Sequence, residues 1–448
     1  MSDTRPRRLG LIAFILLCSA GSLSAVWQAS HWGDGLSRVD PFSESNVVRE
    51  VRHFLEDGFW RNAGLGTVYY PGLYSDQGFE SRPHNEPGVT PDGVYTHYPP
   101  GPEWLAYAAA VVLGPTPLWH LRMLPAALTL AATIWFGLQI RRRFGPAVGW
   151  IVMAACALTP SFSDAATSLH DHGYEFALLL VEIGLCLDRR PRMLPFLALG
   201  FVQGWLSFDY VFLVTFTPLA IVVALARLEH DEGGWPAHNA GLSLGVRRCL
   251  LAGAGFTIAH LLHFAQVCVF FGSVHATIAD LAEAAAHRSG AEADKGVLDH
   301  VLNMVALAAY YVVTPVPIRT FFWHPYSESP TSWQGFRFLG MSLGVWWIVV
   351  LACLPLRNAW AARIGAPADR TLLKDWLWVS AAGVMPSLMW PLVMLNHGQV
   401  HVHFLYRHLF LAFFLWLLFA SIAVVKRRPV AAAQRAEAKL AEAVPQAS

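Results

Sequence analysis

Met193–Ala226 reads MLPFLALGFVQGWLSFDYVFLVTFTPLAIVVALA. Arg189, Arg190 and Arg192 precede this apolar run, and Arg227, Arg247 and Arg248 follow it. How often it crosses a membrane decides the fold. A single crossing leaves basic clusters on both sides, against the bias of Lys and Arg toward the cytoplasmic face. It also strands Asp209 at mid-membrane, at a cost of about 3 kcal/mol. Two crossings of about 16 residues each reach about 24 Å at the helical rise, a span that a locally thinned bilayer accommodates. The run therefore predicts a hairpin of two spans, turning at Ser207-Phe208-Asp209-Tyr210 on the outer side.

The rest of the chain has the same character. Of its 448 residues 55% are hydrophobic and 14% charged, too few polar groups to cover a soluble globule. Apolar runs long enough to span recur, and no alternating strand pattern competes with them. The expectation is an all-α polytopic membrane protein, one domain over 1–448 with about ten transmembrane helices. Besides the hairpin, the spans are Leu9–Trp27, Leu118–Ile140, Ala147–Phe162, Phe176–Leu187, Cys249–Phe271, Phe338–Leu356, Trp376–Leu395 and Leu409–Val425. Leu9–Trp27, behind Arg5, Arg7 and Arg8, resembles a signal peptide but is read as an uncleaved first helix.

Between the spans, 30–103 is a large first outer loop with interfacial helices at Val47–Trp60 and Pro100–Leu113. The 272–337 stretch is a second outer segment, opening with an amphipathic helix near Ala276–His287. Leu228–Arg248 is an inner loop and 426–448 a cytoplasmic tail. Val301–Ile318 is ambiguous; as a span it would put Lys426, Arg427 and Arg428 outside, so it is read as interfacial or re-entrant. Both termini are then cytoplasmic, in the plasma (inner) membrane.

This topology puts most Lys and Arg inside and most Asp and Glu outside, with only His230 and His238 in inner loops. Groups that exchange protons or bind metals thus collect on the outer face. The six cysteines fall in or beside spans without a CxxC, which indicates neither a disulfide framework nor a thiolate metal site. No repeat of the kind that builds solenoids or inverted-repeat transporters is visible.

Four outer constellations can carry chemistry. Asp40-Pro41-Phe42-Ser43-Glu44 precedes the amphipathic run in which Val47, Val48, Val51, Phe54 and Leu55 form an apolar face opposite Arg49, Glu50, Arg52 and Glu56. Asp40 can cap that helix or act as an acid. In His97-Tyr98-Pro99-Pro100 the prolines hold His97 rigidly, as a structural group, a metal ligand or a phosphate donor. His170-Asp171-His172-Gly173-Tyr174-Glu175 packs four ionisable groups between two spans, although Asp171 can simply cap its helix. Asn396–His408 carries His397 and His401 one helical turn apart, without a carboxylate to complete a metal site. Arg122 and Arg407, at the outer edges of spans, can snorkel or grip a lipid phosphate.

Taken together, these stretches resemble the integral-membrane glycosyltransferases of the C-fold superfamily, which use polyprenyl-phosphate sugars, such as the protein mannosyltransferases and lipid A aminoarabinose transferases. The likeness runs from Asp40 and Glu44 through Glu50–Trp60, His97-Tyr98-Pro99-Pro100, the Gly114–Arg122 turn and the Asp171 loop, and ends in Tyr406-Arg407-His408. It covers about residues 9–190, and the remainder mainly by topology. It implies a hexosyl- or pentosyltransferase of the cell envelope with its active site on the outer face. Asp40, or Glu44 close by, would be the general base for the acceptor hydroxyl, and Asp171 the second acid. The family's adjacent Asp-Glu pair is here spread to Asp40 and Glu44.

The resemblance also implies that His97, Tyr98, Arg122 and Arg407 serve the donor phosphate. A divalent metal ion would have His97 and His172 as candidate ligands. Such chemistry requires a carboxylate base and positive charge at the leaving phosphate, but no nucleophilic Ser or Cys. The expected partners are membrane lipids, the polyprenyl-phosphate sugar and a lipid, glycan or protein acceptor; nucleic acid is not among them. The alternative is a polytopic transporter or flippase, with Asp209, Asp171 and the histidines as a proton relay.

Overall fold

The computed structural model describes residues 5–30, 41–68, 88–114, 118–158, 164–188, 190, 192–228, 236–290, 302, 315–316, 341–342, 372–394 and 408–425. The chain is mostly helical. In order come α1 (Arg5–Ser30), α2 (Pro41–His53, prolonged by a π-helical turn Phe54–Gly58), α3 (Gly101–Leu113), α4 (Leu118–Leu121), α5 (Met123–Phe144) and α6 (Pro146–Leu158). A 3-10 turn (Asp164–Thr167) then leads into α7 (Asp171–Leu187), α8 (Leu194–Leu206), α9 (Val211–Leu228), α10 (Pro236–Phe271), α11 (Val274–Ser289), α12 (Leu372–Val393) and α13 (Phe410–Val425). One two-residue antiparallel pairing, Pro315–Val316 with Met341–Ser342, adds a trace of strand to a helical fold.

Among the described residues four helices are long and apolar enough to cross a membrane: Arg8–Trp27, Leu118–Phe144, Val211–Leu228 and Gly241–Phe271. Met193–Ala226 is two helices, α8 and α9, broken at Ser207–Tyr210 where the buried Asp209 called for a turn. Pro218 lies inside α9 without ending it. The inner loop at Leu228–Arg248 needs correcting: α10 begins at Pro236, twelve residues before Arg248 closes that stretch. Proline suits a first helical turn, and the leucines, alanine and arginines after it favour helix in water as well as in lipid. The spans expected at Phe338–Leu356 and the interfacial piece Val301–Ile318 lie almost wholly outside the described residues.

α7 is the axis of the bundle. Every one of its residues except Val181 is buried, with α5, α8, α9 and α3 packed around it. Its apolar side joins α5, α9, α12 and α13 in one core through Phe136, Phe176, Leu180, Val214, Trp376 and Phe410. α8 lies closely against α10, where Gly200 meets the Ala252 carbonyl and Gly255 meets that of Leu197. Small residues let membrane helices approach to backbone contact in this way.

α2 and α3 form a separate layer at one end. Val47, Val48 and Val51 pack on Ala106, Ala110, Leu118, Leu121 and Leu169. Arg52 and Glu56 stay exposed and paired at 2.8 Å, but Arg49 and Glu50, expected on the same polar face, are buried. The chain after the helix returns over it, and Gly66 sits directly against the Glu50 carboxylate.

Candidate active site

The described residues of the segments assigned to the outer side meet at one end of the bundle, where α7, α9 and α13 begin and α8 and α11 end. Thr96 and Tyr98 come from the 88–100 loop, His170, Asp171 and His172 from the start of α7, and Asp209 and Tyr210 from the hairpin turn. Arg288 comes from the last turn of α11 and His408 from the approach to α13.

The first loop is pinned by polar contacts with apolar-looking helices. His263 of α10 sits 2.9 Å from the Thr96 carbonyl, Gln266 donates to Ala63 O at 2.8 Å, and Thr96 Oγ1 donates to Asp280 of α11 at 2.7 Å. The Trp104 indole donates to Gly64 O at 2.8 Å. These contacts hold the Pro99-Pro100 approach to α3, so Tyr98 has a fixed place at the lip.

Two linked groups make up the site. In one, the Tyr98 hydroxyl donates to Asp209 Oδ2 at 3.2 Å, and the Arg288 guanidinium lies 4.4 Å over the Tyr98 ring and 4.9 Å over that of Phe208. Burial pushes the Tyr98 phenol well above its ordinary value; Arg288 opposes this and Asp209 adds to it. Burial alone would weaken the charge of Arg288, but Tyr98, Tyr95 and Asp209 around it hold it higher. Arg288 is 7% exposed, and among the described residues its Nη1 has no hydrogen-bond partner. A buried guanidinium with an idle N–H is prepared for an anion.

In the other group, Asp171 Oδ1 accepts the His172 backbone N–H at 2.6 Å and faces the Nδ1 atoms of both His170 and His172, the latter at 3.2 Å. Its Oδ2 is buried and without a hydrogen-bond partner. His172 Nδ1 is 3.0 Å from the Tyr210 hydroxyl, and Tyr210 stacks on His408 with ring centroids 4.7 Å apart. The two groups touch where His170 meets Tyr98 edge to face, at 6.5 Å.

His170, Asp171 and His172 offer ligand atoms within 4.8 Å of one another and can hold a metal ion. Two imidazoles and a carboxylate suit a divalent transition metal with an open position. His97 lies outside this trio: its Nδ1 is 2.7 Å from Gly88 O and its ring packs on Tyr95 and Tyr98.

No family model matches the chain, and no curated protein matches it. Among solved structures, the oligosaccharyltransferase of Archaeoglobus fulgidus with zinc and sulfate aligns at 15% identity and a TM-score of 0.41. That alignment covers 97% of this chain and 52% of the other. The apo form of that enzyme aligns at 15% and 0.40, and its complex with an inhibitory peptide and a dolichol-phosphate at 14% and 0.41, each with 52% of its length covered. The chain thus spans about half the length of the structures it matches.

The residues singled out from the sequence fare differently. Tyr98, Asp171 and His172 join the cluster, with His97 against its wall. Glu44 and Arg122 are joined to each other, both fully buried, with Arg122 Nη2 2.6 Å from Glu44 Oε2 and Nε 3.0 Å from Oε1. Asp40, Arg407, His397 and His401 lie outside the described residues.

Sequence reasoning missed Arg288, one residue past the expected amphipathic helix, and Glu103, whose acidic neighbourhood exists only in three dimensions. Glu103 opens α3, and burial pushes its carboxyl up to about 7, with His170 opposing and Asp171 adding. Glu50 is raised well above its ordinary value by burial and then by Glu103.

Proposed function

We propose that this chain transfers a sugar from a polyprenyl-phosphate donor to a lipid, glycan or protein acceptor of the cell envelope. In this reading it is a multi-pass plasma-membrane enzyme of about ten spans with its site on the outer face. The observation that carries the reading is Arg288: a buried guanidinium with an unpartnered N–H, laid over Tyr98 beside Asp209 and the His170-Asp171-His172 trio.

The reaction forms a bond between the acceptor oxygen and the anomeric carbon as the bond from that carbon to the phosphate oxygen breaks. The phosphate leaves with the electron pair, and the acceptor's proton passes to a carboxylate. Asp40 is our choice for that base, on the resemblance of its segment to the C-fold glycosyltransferases, with Asp171 as the second acid. Arg288 takes the donor phosphate, in the role that the sequence suggested for Arg122 and Arg407. Charge held in place at a developing anion is worth more than the same charge in water. Tyr98 and Asp209 fix the guanidinium, and His97 backs Tyr98. Glu44 and Arg122 tie α2 to the start of α5. His170, Asp171 and His172 would hold a divalent cation, whose charge would offset that of the phosphate.

The test is to delete the gene and compare envelope glycolipids and glycans by mass spectrometry. A sugar should be missing, restored by the wild-type gene and not by Asp40→Asn or Arg288→Ala. An unchanged profile on deletion would remove the reading. Full restoration by Asp40→Asn, with Glu44→Gln equally silent, would remove the proposed base.

A further inference from the structure

The proposed transfer leaves a polar stripe on α7 unused. Glu175 and Glu182 are 1% and 0% exposed, and among the described residues none of their four carboxyl oxygens has a hydrogen-bond partner. At 3.6 residues per turn, Asp171, Glu175, Glu182 and Cys186 fall on one face of the helix. That face looks into protein, because α7 is buried along its length.

The stripe continues at both ends. Glu175 is within electrostatic reach of Asp171, Glu182 and Asp209, the last on the turn before α9. Glu182 reaches Cys186 on its own helix and Cys249 on α10, and Cys186 in turn reaches Arg248. Arg248 is 1% exposed, keeps its Nε unpartnered and donates Nη2 to Arg190 O at 3.0 Å, at the opposite end of the bundle. Glu103 of α3 faces Tyr174 at the outer end, and Arg143 of α5 donates to Leu187 O at the inner end.

An acid inside a membrane bundle is costly and ordinarily functional. An ion cage does not account for this one. Among the described residues only His170, Asp171 and His172 bring three metal-ligating side chains close together, so Glu182 and the two thiols do not. Among the described residues no cation pairs with either glutamate. Protons and water are what remain to satisfy four idle oxygens, and about 10 Å of helix rise between the two carboxyls is a gap that a few waters bridge.

We propose that Glu182, with Glu175 above it, is a proton-binding station on a path along α7 that joins the outer cluster to the inner rim at Arg248. Protonation of one carboxyl is matched by release from its neighbour, so the path moves protons and leaves the residues unchanged.

The test uses the purified full chain in liposomes loaded with a pH-sensitive dye, with a potassium potential set by valinomycin. Wild-type vesicles should acidify several-fold faster than protein-free ones. Glu182→Gln, which keeps the shape and removes the exchangeable proton, should return the rate to the protein-free level. Acidification by the wild type at the protein-free rate overturns the proposal, as does unchanged flux through a folded Glu182→Gln. If that variant does not fold, Glu175→Gln in the same assay decides, with the same two outcomes. Donor consumption on the same preparations separates failure here from failure of the transferase reading.

Discussion

At the end of the bundle where α7 stops, three arginines donate to backbone carbonyls. Arg143 donates to Leu187 O at 2.8 Å, Arg141 to Gly10 O at 3.4 Å and Arg248 to Arg190 O at 3.0 Å. The Arg143 contact falls at the C-terminus of α7, where a cation answers the helix dipole and the unpaired acceptors. Where α7 starts, five segments press acids, imidazoles and aromatic rings together. Asp171 Oδ2 and Arg288 Nη1 are both buried there without partners. At the first end the arginines brace backbone carbonyls, with one Arg248 nitrogen left over. At the second, among the described residues, an acid and a guanidinium gathered beside imidazoles each keep unmet hydrogen-bonding capacity.

The largest effect that would break this contrast falls on Asp171. Asp171→Asn should lower sugar transfer by about 10²- to 10⁴-fold, the range for loss of a positioned acid or base, while the protein still inserts and folds. Donor turnover by the purified variant measures it, and near-normal turnover would make Asp171 a helix cap.

Next in size is the Glu44–Arg122 pair. Arg122→Ala should cost about 3–5 kcal/mol by leaving a buried carboxylate unpaired. Replacing both residues with apolar ones of similar volume should recover most of that. Thermal unfolding in detergent measures it, and a single variant as stable as wild type would loosen α2 from the bundle.

Glu103 offers a pH test of intermediate size. Its carboxyl is raised from 4.5 to about 7 by burial, against the opposing His170 and with Asp171 adding. Its contribution to stability is therefore fully present below about 4.5 and is lost as pH rises through about 7. The melting temperature of the wild type should fall across that window more steeply than that of Glu103→Gln. Parallel curves would mean that Glu103 is ionised in the folded chain.

The smallest effect belongs to the other end. Arg227 lies 3.9 Å from Asp375 and 5.4 Å from the Trp378 ring centre, partly exposed. Arg227→Ala should shift stability by less than about 1 kcal/mol and leave turnover alone.

Much of the helical layout was legible from apolar runs and basic stops. Asp209 inside Met193–Ala226 announced the turn that separates α8 from α9, because a charge at mid-span is expensive. His-Asp-His declared itself by density. What pattern could not reveal was pairing across distance. Arg49 and Glu50 look like a solvated face, yet both are buried, Glu50 under the returning chain at Gly66. Nothing in the pattern announces that Arg122 pairs with Glu44, 78 residues earlier. His263 and Gln266 look like blemishes in a span until Thr96 and Ala63 meet them. Arg288 needed Tyr98, nearly two hundred residues earlier, to become part of a site.

The contrast between the two ends reduces to one comparison of arginines. Polyprenyl phosphate should be titrated into the purified wild type, Arg288→Ala and Arg227→Ala, and its dissociation constant measured. Loss of a charge-assisted contact worth about 1.5–3 kcal/mol predicts binding about 10- to 150-fold weaker in Arg288→Ala and unchanged in Arg227→Ala. Equal affinity in all three proteins would contradict the account, as would equal loss in both variants.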